Sequence, residues 1–228
     1  MTGGEFVMVE RVPQQPTQQK ATELSSAVAE SLTGVLERSH QLGFLGPGPF
    51  STHLEHALAF LPYLPASGRV MDLGSGGGIP GLVLAVHRPD LQFTFVDASE
   101  RRIAFLRTAV RSLGLDSSEV LLGRAEILGH DPRLRSTFEC VVARSFGSPA
   151  VLAECAVAFL ADGASLVSSE PPEDTDRWPA EALLRLLGLQ ADGQAALSVP
   201  RIQRLKKVGV TPEYLPRKIG EPARKPLF

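Results

Sequence analysis

The stretch VMDLGSGGGIPG, Val70 to Gly81, places five glycines within eight residues directly behind an apolar run, with Asp72 two positions ahead of the first of them. Glycine after a strand lets the backbone turn tightly and come close to a ligand, and a helix that follows presents unpaired N–H groups at its first turn. Such a turn is a ligand cradle. Asp97 closes the next apolar run, 23 residues beyond Gly74. At the end of the second strand of a doubly wound sheet, a carboxylate can accept both hydroxyls of a ribose. The glycine run and Asp97 together indicate an adenosine-like ligand.

The pattern on either side agrees with a doubly wound α/β fold. Short β-type runs at Arg69–Leu73, Gln92–Val96, Glu119–Leu122, Cys140–Ala143 and Ser165–Ser168 alternate with helical runs at Gly81–His87, Arg101–Leu113, Pro149–Phe159 and Ala180–Leu187. Crossovers long enough for helices imply a mostly parallel sheet covered on both faces. Leu197–Val210 is expected to supply the last strands as an edge hairpin. Upstream, Leu24, Val28, Leu32, Val35 and Leu36 fall at helical spacing, as do Leu54, Ala57, Leu58 and Leu61, with the loop GFLGPGPF between them. The expected organisation is a flexible arm over 1–19, a small N-terminal helical cap over 20–66, a ligand-binding α/β domain over 67–210 and a basic, proline-rich tail over 211–228.

Composition bounds the function. At 228 residues and 43% apolar, the chain can bury one core of ordinary size. Its longest apolar stretches are too short to span a bilayer, and the opening residues lack a signal peptide's apolar centre, so a cytoplasmic protein with no membrane partner is expected. Cys140 and Cys155 share no close spacing and are expected as core thiols; no metal is expected, and a monomer is. Net charge is −2, but unevenly distributed: from Arg201 onward eight basic residues face two acidic ones, a net +6 that leaves −8 on the rest. That end is either a solvated terminal segment or an edge that faces phosphates. Pro212, Pro216, Pro222 and Pro226 predict that it lies extended and non-helical.

Dinucleotides and S-adenosyl-L-methionine (SAM) use the same layout, so the choice rests on detail. A pyrophosphate needs helix N–H groups unopposed by negative charge, whereas SAM carries an ammonium and a sulfonium and tolerates an acid at the first turn. Asp72 is such an acid. Its spacing in D-x-G-x-G-x-G, through Gly74, Gly76 and Gly78, resembles the first motif of class I SAM-dependent methyltransferases, whose sheet is Rossmann-like, more than the G-x-G-x-x-G of dehydrogenases.

The runs DLGSGGGIPGLVLAVHRPD, FVDASERRIAFLR, GRAE and VARSF follow one another at the spacings of the RsmG (GidB) family, whose members methylate N7 of a guanine in small-subunit (16S) ribosomal RNA. The proline of GGGIPG is the most distinctive element. The ending TPEYLPRKIGEPARKPL and the helix EHALAFLPYL are also similar to family segments. This resemblance implies SAM as cofactor and ribosomal RNA or the small ribosomal subunit as partner. It implies that Gly74 and Ile79 touch SAM in the first turn, that Asp97, followed by Ala98, holds the ribose, and that Ala125 and Glu126 lie beside the adenine. It places Arg144 at the end of the fourth strand, facing both methyl group and substrate, with Arg124 and His56 as further polar residues of the catalytic pocket.

The chain also departs from the family. LGFLGPGP lacks the asparagine that often precedes the cap loop, Glu55–His56 stands where many members have Arg-His, and SLVSSEPP lacks a lysine after the fifth strand. Other methyl-transfer chemistries fit less well. Cytosine C5 methylation needs a cysteine nucleophile on a Pro-Cys turn, and Cys140 lies inside a strand. Adenine N6 enzymes carry an Asn/Asp-Pro-Pro-aromatic turn where this chain has ARSFGSP, and EPPE follows the wrong strand. The remaining alternatives are a small-molecule methyltransferase on the same fold, a non-catalytic SAM- or RNA-binding accessory factor and, more remotely, a dehydrogenase.

Overall fold

The computed structural model describes residues 23–171, 177–192 and 200–228; the expected arm over 1–19 lies outside them. Seven strands form one sheet: β1 (Arg69–Leu73), β2 (Gln92–Asp97), β3 (Glu119–Leu122), β4 (Phe138–Ala143), β5 (Leu160–Glu170), β6 (Leu189–Ala191) and β7 (Arg201–Lys207). Their order is β3-β2-β1-β4-β5-β7-β6, with β7 antiparallel to both β5 and β6 and the other pairs parallel. The chain reverses direction across the sheet between β1 and β4. Doubly wound sheets open their ligand crevice at that point, beyond the carboxyl ends of the strands.

Side-chain alternation builds a core on each face. Val70, Phe93, Phe95, Cys140 and Val142 point to one side, where they meet α1 (Ser26–Gln41), α2 (Phe50–Leu58), α3 (Gly81–His87) and α4 (Glu100–Ser112). Met71, Leu73, Val96, Val141 and Ala143 point to the other, against α6 (Pro149–Val157) and α7 (Ala180–Leu187). The period of two along strands buried on both faces gives each core a share of every central strand. Leu32 and Leu36 of α1, with Ala57 and Phe60 of the α2 segment, belong to the first core and are buried with the sheet residues.

Three elements differ from the sequence reading. β5 begins at Leu160, well before the expected Ser165, because Phe138 of β4 already pairs with Leu160 ahead of a register shift. The edge hairpin starts at Leu189: Gly188, in the left-handed region at φ 64°, ends α7 and sends the chain straight into β6. The expected start at Leu197 falls on residues 193–199, outside the described set. The tail is not wholly extended, since Glu221–Arg224 forms a helical turn, α8; Pro222 sits in its first turn, where the missing N–H costs nothing. A second short helix, α5 (Ala125–Leu128), covers the GRAE segment.

The cap docks on the glycine turn itself. Ser39 Oγ donates to Gly77 O at 2.8 Å, and both residues are buried. A Cβ on Gly77 would run into Ser39 Oγ and would stand 2.6 Å from Leu45 Cδ2 and 2.9 Å from Phe44 O. Glycine is required there by the closeness of the cap. Gly77→Ala is therefore expected to lower stability by about 1–3 kcal/mol through overpacking, read as a lower denaturation midpoint at unchanged m-value.

Candidate active site

The glycine turn is tied to the end of β2 by backbone. Gly74 N and Ser75 N both donate to Val96 O, at 2.8 and 2.9 Å, and Gly78 N donates to Ser75 O at 2.7 Å. Ser75 Oγ donates to Asp72 O and accepts from Val96 N, bridging β1 to β2 beyond their regular ladder. Asp97 Oδ2 accepts from Gly76 N at 2.9 Å and Oδ1 from Ser99 N at 2.8 Å, with Arg102 Nη1 3.5 Å away. Each oxygen accepting one N–H keeps a second lone pair for a hydroxyl.

A cavity of about 380 Å³ opens here, and five of the expected cofactor-side residues line it together, Gly74, Asp97, Ala98, Ala125 and Glu126, with Arg124 beside them. Arg124, expected among the catalytic side chains, pairs with Glu126, Nη2 to Oε1 at 2.7 Å. Burial works against ionisation of Glu126, yet Arg124 and the N–H of Gly220 hold its carboxyl below the ordinary value. Gly76, Gly78 and Ile79 do not line the cavity; they shape the turn behind it, with Gly76 N fixing Asp97.

Asp72 lies deeper, 1% exposed. Its Oδ2 accepts from Gly81 N at 3.1 Å, while Oδ1 is buried with no hydrogen-bond partner. Burial, reinforced by the charge of Asp97, pushes its pKa up to about 7. Arg144 follows β4, the neighbour of β1, and mirrors this state: its Nη1 is also buried and unpartnered. Burial lowers the guanidinium pKa, and Asp72 offsets part of that.

Arg144 and His56 line a second cavity of about 490 Å³, with His53, Ser168, Glu170 and Trp178 among its walls. The two cavities share Phe146 and Gly147. Phe146 lies directly over Gly74, where a Cβ would stand 2.6 Å from its ring, so the turn's glycine makes room for the partition between the cavities. Arg177 Nη1 pairs with Glu170 Oε2 at 3.1 Å. A cation thus stands beside Glu170 even though the lysine after the fifth strand is absent.

His53 escaped the sequence reading, although HLEH spaces it three residues from His56, on one face of a helix. Arg144 Nη2 lies 2.8 Å from His53 Nδ1. Part of the positive charge counted from Arg201 onward is taken up inside the fold. Arg217 donates to Glu154, N and Nε to Oε1 at 2.9 and 2.8 Å and Nη2 to Oε2 at 2.6 Å, and Glu154 is fully buried. Arg204 pairs with Asp192, and Lys207 Nζ donates to Leu160 O. Three of the eight basic residues counted toward a phosphate-facing edge therefore serve the fold. This clamp places the tail so that Ala223 lines the first cavity. Burial pushes both cysteine thiols up to about 12, which leaves neither as a thiolate nucleophile near neutral pH.

Among the described residues no helix is long and apolar enough to cross a membrane, and no group of three or more His, Cys, Asp or Glu is arranged to hold a metal ion.

Residues 48–170 match the protein family described as GidB, rRNA small subunit methyltransferase G. The ribosomal RNA small subunit methyltransferase G of Pelotomaculum thermopropionicum is 32% identical over 85% of this chain and 86% of its own length. Its counterpart in Moorella thermoacetica is 32% identical over 76% of each. A SAM-dependent methyltransferase from Aquifex aeolicus superposes with a TM-score of 0.54 at 16% identity, covering 75% of this chain and 96% of that one, a likeness of fold.

Removing the Arg217 guanidinium would leave the buried Glu154 carboxyl with the residue-217 backbone N–H as its one remaining partner from this clamp. Arg217→Ala is expected to cost about 3–5 kcal/mol and to weaken S-adenosylhomocysteine binding, measured by denaturation and calorimetry. Adding Glu154→Leu to it should restore most of the stability.

Proposed function

The chain belongs to the rRNA small subunit methyltransferase G (GidB) family, and on that footing we propose that it transfers a methyl group from SAM to N7 of a guanine in small-subunit ribosomal RNA. The observation that carries the assignment to this site is the pair of buried orphans, Asp72 Oδ1 near the carboxyl end of β1 and Arg144 Nη1 just past the adjacent β4. A lone acceptor and a lone donor of opposite charge fit the ammonium and carboxylate of an amino acid, which a nicotinamide dinucleotide lacks. Asp97 would hold the ribose, and the Ala125–Glu126 turn would flank the adenine, with Ala223 closing that side. When bound, SAM supplies an activated methyl group on a sulfonium.

The demands on the protein are those of alignment. Guanine N7 has an exposed lone pair and no proton, so no general base is needed; the chain must hold nucleophile, carbon and sulfur in line. The cavity around Arg144, His56 and Trp178 would receive the base, with Phe146 and Trp178 as aromatic faces for an unstacked purine. Arg144 cannot occupy guanine N7 without blocking the reaction, so any contact it makes to the base is at O6. Glu170, the acid among the described residues that line this cavity, would lie beside a product guanine that has become cationic.

Incubating the protein with labelled SAM and either isolated small subunits or naked small-subunit RNA should place the label on a guanine, at N7 on nucleoside analysis. Label at another atom, or none in RNA, would overturn the reading. The elevated Asp72 pKa adds a pH signature, since binding the ligand's ammonium needs the ionised carboxylate. Affinity for S-adenosylhomocysteine should fall about tenfold per pH unit below about 7 and level off above it. Asp72→Asn should bind weakly without that slope. By the same linkage, the unliganded protein loses stability as pH rises from about 3.8 to about 7, because the unfolded chain ionises this group first.

A further inference from the structure

Arg144 can only donate hydrogen bonds, and a backbone carbonyl can only accept them. His53 stands between the two: Nδ1 is 2.8 Å from Arg144 Nη2, and Nε2 is 3.0 Å from Gly46 O. One state of the imidazole serves both contacts, the neutral tautomer with its proton on Nε2. An imidazolium would turn an N–H toward the guanidinium and break the first contact. His53 is 6% exposed, so water cannot readily substitute for either partner.

We propose that His53 is a positioning residue for Arg144: held as the Nε2–H tautomer by the Gly46 carbonyl, it accepts from Nη2 and thereby fixes the guanidinium with Nη1 free for ligand. The inference rests on the methyl-transfer reading of this site. An arginine at a strand end has four rotatable side-chain bonds, and a group whose task is alignment cannot keep that freedom. Among the described residues the neighbours offer no other anchor with this geometry. Asp72, across the strand ends, leaves its Oδ1 unpaired and does not bond Arg144, and Glu170 is engaged with Arg177. His53 also connects two parts of the fold. Gly46 belongs to the loop between α1 and α2, so the seating of the cap is transmitted through one imidazole to the end of β4.

The charged and titratable groups around His53 all bear on its protonation. Burial lowers its pKa from the ordinary 6.5, the Gly46 carbonyl raises it in part, and the charges of Arg144 and of His40 on α1 lower it further. His56, beside it on α2, is also lowered by burial, by Arg144 and by His53, with Glu55 opposing. At neutral pH His53 is therefore in the state the contacts require. Acidification converts it to the state that repels Arg144.

The test compares His53→Asn, His53→Gln and His53→Ala with wild type. The readouts are single-turnover methyl transfer to small-subunit RNA from pH 5 to 8, S-adenosylhomocysteine affinity, and thermal unfolding. The asparagine amide oxygen falls near Nδ1 and can still accept from Arg144, whereas the glutamine amide reaches the Nε2 position and serves Gly46 alone. Expected are a rate loss of about tenfold or more for the alanine and glutamine variants and recovery to within about threefold of wild type for asparagine. The asparagine variant should also lack one acid limb of the wild-type profile, the limbs of Asp72 and His56 remaining in both. Histidine-ring nitrogen NMR of the free protein should show His53 as the Nε2–H tautomer in wild type, with the Nδ1 resonance shifted in Arg144→Ala as its donor is lost and the Gly46 carbonyl still holding Nε2–H. A folded alanine variant at the wild-type rate would overturn the proposal. So would glutamine outperforming asparagine, or a His53 ring unaffected by Arg144→Ala. If wild type methylates no RNA, the family-based reading falls instead; the ring spectra and the affinity ranking still decide whether His53 sets Arg144.

Discussion

One carbonyl organises the site. Val96 O accepts from both Gly74 N and Ser75 N, so the chain leaving β1 is pinned across the top of β2 and cannot drift from it. With that pin in place, Gly76 N reaches Asp97, Gly78 N closes onto Ser75 O, and α3 starts where its first N–H groups face Asp72. The outer side of the same turn receives Ser39 of α1, and Phe146 rests over Gly74 between the two cavities. At Gly74 and Gly77 a side chain would have to displace one of these neighbours. Close approach there, together with the left-handed backbone of Gly74, Gly76 and Gly78, accounts for the glycine density.

Electrostatically the site is left unfinished. Interiors rarely keep a carboxylate oxygen and a guanidinium nitrogen both buried and unpaired, since each costs on the order of 1–3 kcal/mol when unsatisfied. Here one stands near the carboxyl end of β1 and the other just past the adjacent β4, and they do not satisfy each other. The penalty raises the Asp72 pKa, and a zwitterionic ligand would remove it. Stability withheld from the empty protein is thereby available to binding, as is common where a fold holds groups for a ligand.

Legibility in the sequence followed the range of the interaction. The strands, the turn and Asp97 could be read directly, because alternation and glycine spacing are local and the end of β2 is fixed by its own apolar run. Asp72 could be weighed for the same reason. His53 could not be seen, since nothing within FSTHLEHAL says that Arg144, 91 residues away, will meet its ring. Arg217 was misjudged for the same cause: charge counting treats each cation as free, and Glu154, 63 residues distant, had taken this one into the interior. The edge hairpin failed differently. Gly188 as a helix terminator is a local signal, outweighed by the more strongly patterned segment after residue 200.

The placement of Ala223 makes the proposed cofactor cavity depend on a contact between distant parts of the chain. Leu73 and Ala223, 150 residues apart, line the same cavity, and Ala223 is seated there by a segment that docks through Arg217 on Glu154 and through Gly220 N on Glu126. A local opening of that segment would remove one wall while every strand of the sheet stayed paired.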